Sequence, residues 1–213
     1  MKKALVLGAS GGMGYSIVHE LAERGIQVLA FARDRKKLER LFVSKKNIQI
    51  VTGNALNIDQ LQRAATDCDA IFHSINIPYQ EWEKHLLQIM KNVLEVVKAS
   101  SAKLVLTDNI YAYGRSQNGK VTEDKPKQPH TKKGKLRLKQ IELIKNSGVP
   151  YVIAHFPDFY GPNAENTMLG TTLPYILQNK HSIYVGSQKV AREHIFTPDG
   201  AKAIVTLALT EKA

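Results

Sequence analysis

The sequence predicts a doubly wound α/β fold on a parallel sheet, and three observations predict it. Short apolar runs alternate with helical patterns six times along the 213 residues, as a sheet covered by helices on both faces requires. The runs are continuously apolar rather than alternating, which suits strands buried on both sides. The first of them, Ala4-Leu5-Val6-Leu7, leads into Gly8-Ala9-Ser10-Gly11-Gly12-Met13-Gly14 and then into a helix. A chain of this length makes one domain, 1–213, in which 157–213 forms a short C-terminal extension.

The glycine spacing is the first functional signal. Gly8 makes the tight turn, Gly11 removes a side chain where a pyrophosphate would approach the backbone, and Gly14 lets the helix sit close on the sheet. Free N–H groups of Ser10, Gly11, Gly12 and Met13 at that helix start suit a phosphate. Glycines between a strand and a helix also serve packing alone. Here the helix that follows, with Ile17, Val18 and Leu21 apolar, and the next strand, Gln27 to Phe31, supply the context of a dinucleotide site.

The second strand ends at Ala32-Arg33, with Asp34 one place beyond. An acid at this point accepts from both ribose hydroxyls, whereas a base pairs with a phosphate on the 2' oxygen. Arg33 therefore points to NADP over NAD, with Arg35 or Lys37 as helpers and Asp34 as either ribose ligand or helix N-cap. A short helix and a third strand, Ile48 to Val51, follow. Asn54 and Ala55 then open a helix, and Asn54 either meets the adenine edge or holds the turn.

Cys68 to His73 predicts the fourth strand, and Ser74 and Asn76 in the loop beyond it are placed to border the cofactor. His73 reads as a core or loop histidine. Tyr79 to Ser100 predicts the longest helix, apolar over more than one stripe, so it is either covered within one chain or offers a face for a homodimer. The short C-terminal region favours a monomer. The fifth strand, Ala102 to Thr107, delivers Asn109, Tyr111 and Tyr113 to the same rim. Residues 114–135 form an excursion over the site, followed by a helix from Lys133 to Asn146 and a sixth strand, Tyr151 to Ala154. Next come a turn-rich loop, Pro157 to Pro162, and a helix, Leu169 to Gln178, broken near Pro174. A short strand, Ser182 to Val185, an extended segment, Ala191 to Thr197, and a closing helix, Pro198 to Leu209, complete the chain.

Composition excludes several classes. The single cysteine, Cys68, rules out an internal disulfide and a four-thiolate metal centre, so no metal site is expected and a cytoplasmic setting is natural. No stretch approaches the roughly 18 apolar residues of a membrane span. Net charge is +11, with seven basic and two acidic residues in 33–46 and eight basic and two acidic in 120–139. Neither focus is interleaved with aromatics, which argues against single-stranded nucleic acid and for attraction of small anions.

Taken together, the glycine loop, the Gly53-Asn54-Ala55 turn, Tyr113-Gly114, Pro157 to Pro162 and His194 to Ile204 resemble the short-chain dehydrogenase/reductase superfamily. Within it they resemble the extended and atypical branch related to NAD-dependent epimerases and dehydratases. The resemblance covers nearly the whole chain and implies an NAD(P)-binding Rossmann fold, an oxidoreductase or epimerase-like activity and a small-molecule substrate. It also implies a catalytic group of Ser or Thr after the fifth strand, a Tyr, and a Lys four residues beyond that Tyr.

Those three positions fall here on Asn109, Lys133 and Arg137. An Asn amide still donates to a substrate oxygen. Arg137 can meet a ribose or hold positive charge near nicotinamide, but does not shuttle protons at neutral pH. The proton would come from Lys133, from Tyr113 or another phenol such as Tyr111 or Tyr160, or from water. Thr107 belongs with the cofactor contacts. The departure leaves a second reading open, a noncatalytic NADP(H)-binding sensor.

Overall fold

The computed structural model describes residues 1–43, 45–116, 120–184, 186–187 and 189–210. Its main strands are β1 (Lys3–Leu7), β2 (Gln27–Ala32), β3 (Ile48–Thr52), β4 (Ala70–His73), β5 (Lys103–Asn109) and β6 (Tyr151–Phe156). All neighbours pair in parallel, in the order β3-β2-β1-β4-β5-β6. The chain builds outward from β1 to β3, then restarts on the other side of β1 at β4. That reversal opens a crevice beyond the carboxyl ends of β1 and β4, where sheets of this kind take their ligands.

Strand alternation sends Ala4 and Val6 to one face and Leu5 and Leu7 to the other, so the sheet carries two cores. On the first face lie α1 (Gly12–Glu23), α2 (Arg35–Leu41) and α7 (Thr197–Leu209), contributing Ile17, Leu21, Leu38 and Ile204. On the second lie α3 (Ile58–Ala64), α4 (Leu87–Ser100) and α5 (Lys132–Lys145), contributing Leu61, Val93, Val97 and Ile144. Cys68 is in this second core, where burial pushes its thiol up to about 11 and leaves it unreactive at neutral pH.

The expected single helix over Tyr79 to Ser100 is three pieces: a 3-10 turn at Tyr79–Glu81, a wider π turn at Trp82–Leu86, and α4. The Trp82 indole N–H reaches back 2.9 Å to the Ile77 carbonyl, anchoring this start. Trp82, Leu86, Ile89, Met90, Val93, Leu94, Val96 and Val97 are all buried within one chain. The breadth of the apolar surface is thus accounted for by cover from within.

Beyond β6, the expected turn-rich loop contains β7 (Asp158–Tyr160), which pairs in parallel with β8 (His194–Phe196) in the expected extended segment. Between them α6 (Met168–Leu177) runs unbroken through Pro174, whose missing N–H leaves the Gly170 carbonyl without its intrahelical donor. The strand expected at Ser182 to Val185 does not form over Ser182–Tyr184. Instead of a neighbouring strand, these residues meet α6: the Ser182 hydroxyl donates to the Thr172 carbonyl, and the Thr172 hydroxyl to the Ile183 carbonyl. Val185, and residues 117–119 of the excursion over 114–135, lie outside the described residues. Among the described residues no helix is long and apolar enough to cross a membrane, and no cluster of His, Cys, Asp and Glu could hold a metal.

Candidate functional site

The glycine loop is shaped by close approach. Gly8 has φ +81°, and a Cβ there would sit 2.8 Å from the Ser74 carbonyl oxygen, so the loop leaving β4 rests directly on it. A Cβ on Gly14 would lie 2.1 Å from the Gly8 carbonyl oxygen, a backbone contact with no room to yield. Gly11 is different: only the Gly8 carbonyl comes within reach, at 3.6 Å, so its outer side is open. The N-cap of α1 is Gly11, with no side-chain cap, which leaves the first N–H groups for a ligand. Ser10 and Gly12 flank this opening. Met13 turns its side chain inward against Gly200 of α7, so only its main chain can face a ligand.

At the end of β2, Asp34 is the N-cap of α2: its carboxylate accepts from the Lys37 N–H at 2.9 Å. Arg33 precedes that cap, lies outside the helix and is exposed, with no ion pair among the described residues. The two expected helpers are engaged elsewhere, Arg35 with Glu39 at 2.7 Å and Lys37 with Glu165 at 3.3 Å. Asn54 holds its turn, its side-chain oxygen accepting from the Leu56 N–H at 3.0 Å. The neighbouring Ala55 carbonyl accepts from the buried Asn92 amide on α4.

At the ends of β4 and β5, the Ser74 and Thr107 hydroxyls meet at 3.0 Å, and Asn76 is exposed in the loop just beyond. His73 is fully enclosed; burial, with Arg137 nearby, lowers its pKa to about 3, so it is neutral and structural. Asn109 uses its side-chain oxygen on the Tyr111 N–H, 3.0 Å away, leaving its NH2 group to donate.

Arg137 is only 5% exposed. Its guanidinium donates to the Gln140 side chain at 2.9 Å, stands 3.3 Å from the Asp108 carboxylate, and lies 4.4 Å from the centre of the Trp82 ring. Asp108 is buried and also faces His155 at 3.5 Å. Burial pushes the Asp108 carboxyl up, opposed first by Arg137 and then by His155; burial likewise pulls His155 down. Arg137 is thus a cation turned into a buried ion pair.

Lys133 is exposed, with its ammonium 3.3 Å from the centre of the Tyr79 ring, and the Tyr79 and Tyr111 hydroxyls share a 2.9 Å hydrogen bond. Burial and the bond to Tyr79 push the Tyr111 phenol well above its ordinary range, so it stays protonated. Tyr113 is 5% exposed, beneath Lys127 and edge-on to His155. The sequence reading expects Asn109, Tyr113, Lys133 and Arg137 at the site, with Tyr111 as an alternative phenol, but it assigns no role to Asp108, His155 or Tyr79. An acid closing an otherwise apolar strand was the available signal for Asp108. Tyr79 has none, because its approach to Lys133 joins elements more than fifty residues apart. Asn163 was missed as well: it has φ +58° and a buried side-chain NH2 group without a partner among the described residues, one residue before Ala164, whose Cα would lie 3.0 Å from a Cβ on Gly12.

Comparison with known proteins bears on this geometry. Residues 8–194 match the NAD(P)H-binding family. A 71-residue stretch is 39% identical to the 2-alkyl-3-oxoalkanoate reductase of Shewanella oneidensis, taking in 33% of this chain and 17% of that protein. Among solved structures, the Bordetella bronchiseptica enzyme WbmH in complex with NAD+ matches with a TM-score of 0.84 and 21% identity, over 98% of this chain and 72% of that one. The dTDP-glucose 4,6-dehydratase of Bacillus anthracis, in complex with NAD, matches with a TM-score of 0.83 and 18% identity, over 99% and 72%. At such identities the likeness is one of fold.

Proposed function

The chain belongs to the NAD(P)H-binding family, and on that premise we propose that it is an NADP(H)-dependent oxidoreductase, epimerase-like in architecture, with a rebuilt catalytic group. The observation that carries the reading is the pairing of an open, uncapped glycine loop with an exposed Arg33 just beyond β2 that makes no ion pair among the described residues. The residues present fit a dinucleotide. Main-chain N–H groups from Ser10 to Met13 would hold its pyrophosphate, and Arg33 the 2'-phosphate. Ser74, Asn76 and Thr107 would border the nicotinamide half. When bound, the cofactor supplies or accepts a hydride.

The chain's own residues then supply orientation and a proton. The Asn109 amide donates to the substrate oxygen. The Tyr79 phenol, hydrogen-bonded to Tyr111 and beside the Lys133 ammonium, is the available proton source, with Tyr111 as its anchor. The buried Tyr113 is poorly placed to be that source. Arg137, paired with Asp108, supports the rim from beneath. The test is a screen of the pure protein with NADPH against aldehydes, ketones, quinones and sugar nucleotides, following loss of the reduced nicotinamide absorbance. Turnover that falls in Tyr79→Phe and Tyr111→Phe supports the reading. Tight NADPH binding with no turnover on any substrate class replaces it with a sensor, and no preference for NADPH over NADH removes the role of Arg33.

A further inference from the structure

The last third of the chain carries a surface that cofactor binding leaves unused. On α6, Leu173, Ile176 and Leu177 follow at the spacing of one helix face and are 39, 52 and 82% exposed. The segment beyond continues it with Ile183 at 85% and Val190 at 58%. Single apolar side chains in water are ordinary, but a run of them along one helix and its continuation marks a contact surface. Its charge is one-sided: residues 166–192 contain Lys180, Lys189 and Arg192 and not one Asp or Glu.

That charge pattern selects the occupant. A second copy placed by a two-fold axis on this face would set Lys180 and Lys189 near their own copies, with Glu193, beside Arg192, as the one adjoining carboxylate that is not already paired as Glu165 is with Lys37 among the described residues. A bilayer with anionic headgroups offers both requirements at once, an acyl layer for the leucines and isoleucines and negative charge for the lysines. The net charge of +11 adds attraction at longer range. We propose that α6 and the residues after it dock the protein on an anionic lipid surface, with Leu177 and Ile183 entering the headgroup boundary and Lys180 and Lys189 resting on the headgroups.

The experiment is sedimentation of the full chain with vesicles of phosphatidylcholine alone or with about one-third phosphatidylglycerol. The wild type is expected to bind the anionic vesicles, less so as salt rises, and to leave the neutral ones. Leu177→Asp with Ile183→Asp, and separately Lys180→Glu with Lys189→Glu, each reduce binding about tenfold or more. Lys91→Glu with Lys98→Glu makes the same change in net charge on exposed positions of α4 and leaves binding within about threefold. Thermal melting checks that each variant is folded. Four results overturn the proposal: no binding to anionic vesicles; equal loss in both lysine pairs, which assigns attraction to net charge alone; binding indifferent to the aspartates; or a dimer by light scattering that Leu177→Asp with Ile183→Asp dissolves.

Discussion

The two ends of the candidate site are built in opposite ways. Around β1 and β2 the groups that would meet a ligand are main-chain N–H groups and one exposed cation, Arg33, which makes no ion pair among the described residues. Around β5 and α5 the strongest charges, Asp108 and Arg137, face inward and bind each other. A cradle made of backbone survives change in side chains so long as its glycines remain. A group made of side chains does not, and here Arg137 is part of the interior. The first end is open to a ligand; the second trades reach into the site for a buried ion pair.

The largest expected effect tests that trade. Arg137→Ala leaves the Asp108 carboxylate buried without its cation and is expected to cost about 3–5 kcal/mol, lowering the melting temperature by roughly 6–20 °C. Replacing both partners, Asp108→Leu with Arg137→Met, is expected to cost less than Arg137→Ala alone, since no charge is stranded. NADPH affinity by calorimetry, measured on whatever folded fraction remains, should change by less than about threefold. A loss of about tenfold or more instead shows that Arg137 also reaches the ribose, and the contrast between the two ends narrows.

His73 stands at the seam, on the last residue of β4. Its folded pKa is about 3 against an ordinary 6.5, so between those values the unfolded chain binds a proton that the folded chain does not. Stability therefore falls as pH drops below 6.5, by about 1.4 kcal/mol per unit from this group, until the folded-state value is passed. Over two units the loss is about 2 kcal/mol. Denaturant unfolding at a series of pH values checks it, with His73→Phe as the comparison. The slope below pH 6.5 should be shallower in the variant even if its stability is lower throughout, because His19 and His155, also held below their ordinary values by burial, remain in both. An unchanged slope means that His73 is solvated in the protein.

Arg33→Ala addresses the other end. A charge-assisted phosphate contact is worth about 1.5–3 kcal/mol, roughly 10- to 150-fold in affinity. The variant should lose NADPH affinity by that factor and keep NADH affinity. Equal affinities of the wild type for the two cofactors would remove the contact altogether.

Legibility in the sequence followed the range of the interactions. The six main strands, their helices and the glycine loop rest on local spacing, and β1 to β6 form near their expected places. The failures are non-local. The three-residue strands β7 and β8 exist because Asp158 to Tyr160 and His194 to Phe196 find each other across more than thirty residues. Ser182 to Tyr184 have strand-like composition but pair with Thr172 of α6 instead. The π turn at Trp82 is fixed by a bond from its indole, not by any pattern of apolar residues. At the site, Asn109, Lys133 and Arg137 are expectations from position; of the partners that surround them, Gln140 is a neighbour one turn along α5, whereas Asp108 against Arg137 and Tyr79 against Lys133 meet only through tertiary packing.

The smallest expected effect decides how the cradle reads its ribose. Asp34 is one residue beyond Arg33, near enough to serve as the acid that accepts from ribose hydroxyls, yet its carboxylate already accepts from the Lys37 N–H as the cap of α2. If capping is its whole role, Asp34→Ala costs about 1 kcal/mol of stability, a fall of roughly 2–4 °C in melting temperature, and leaves NADH affinity where it was. Asp34→Ser retains a cap oxygen and should restore most of that stability. The serine variant carries the decision, because it keeps the helix start and removes only the carboxylate. Calorimetric loss of NADH affinity by about tenfold or more in Asp34→Ser would assign the carboxylate to the ribose. Arg33 would then share its end of β2 with an acid that favours NAD, and the preference for NADPH would be correspondingly weak.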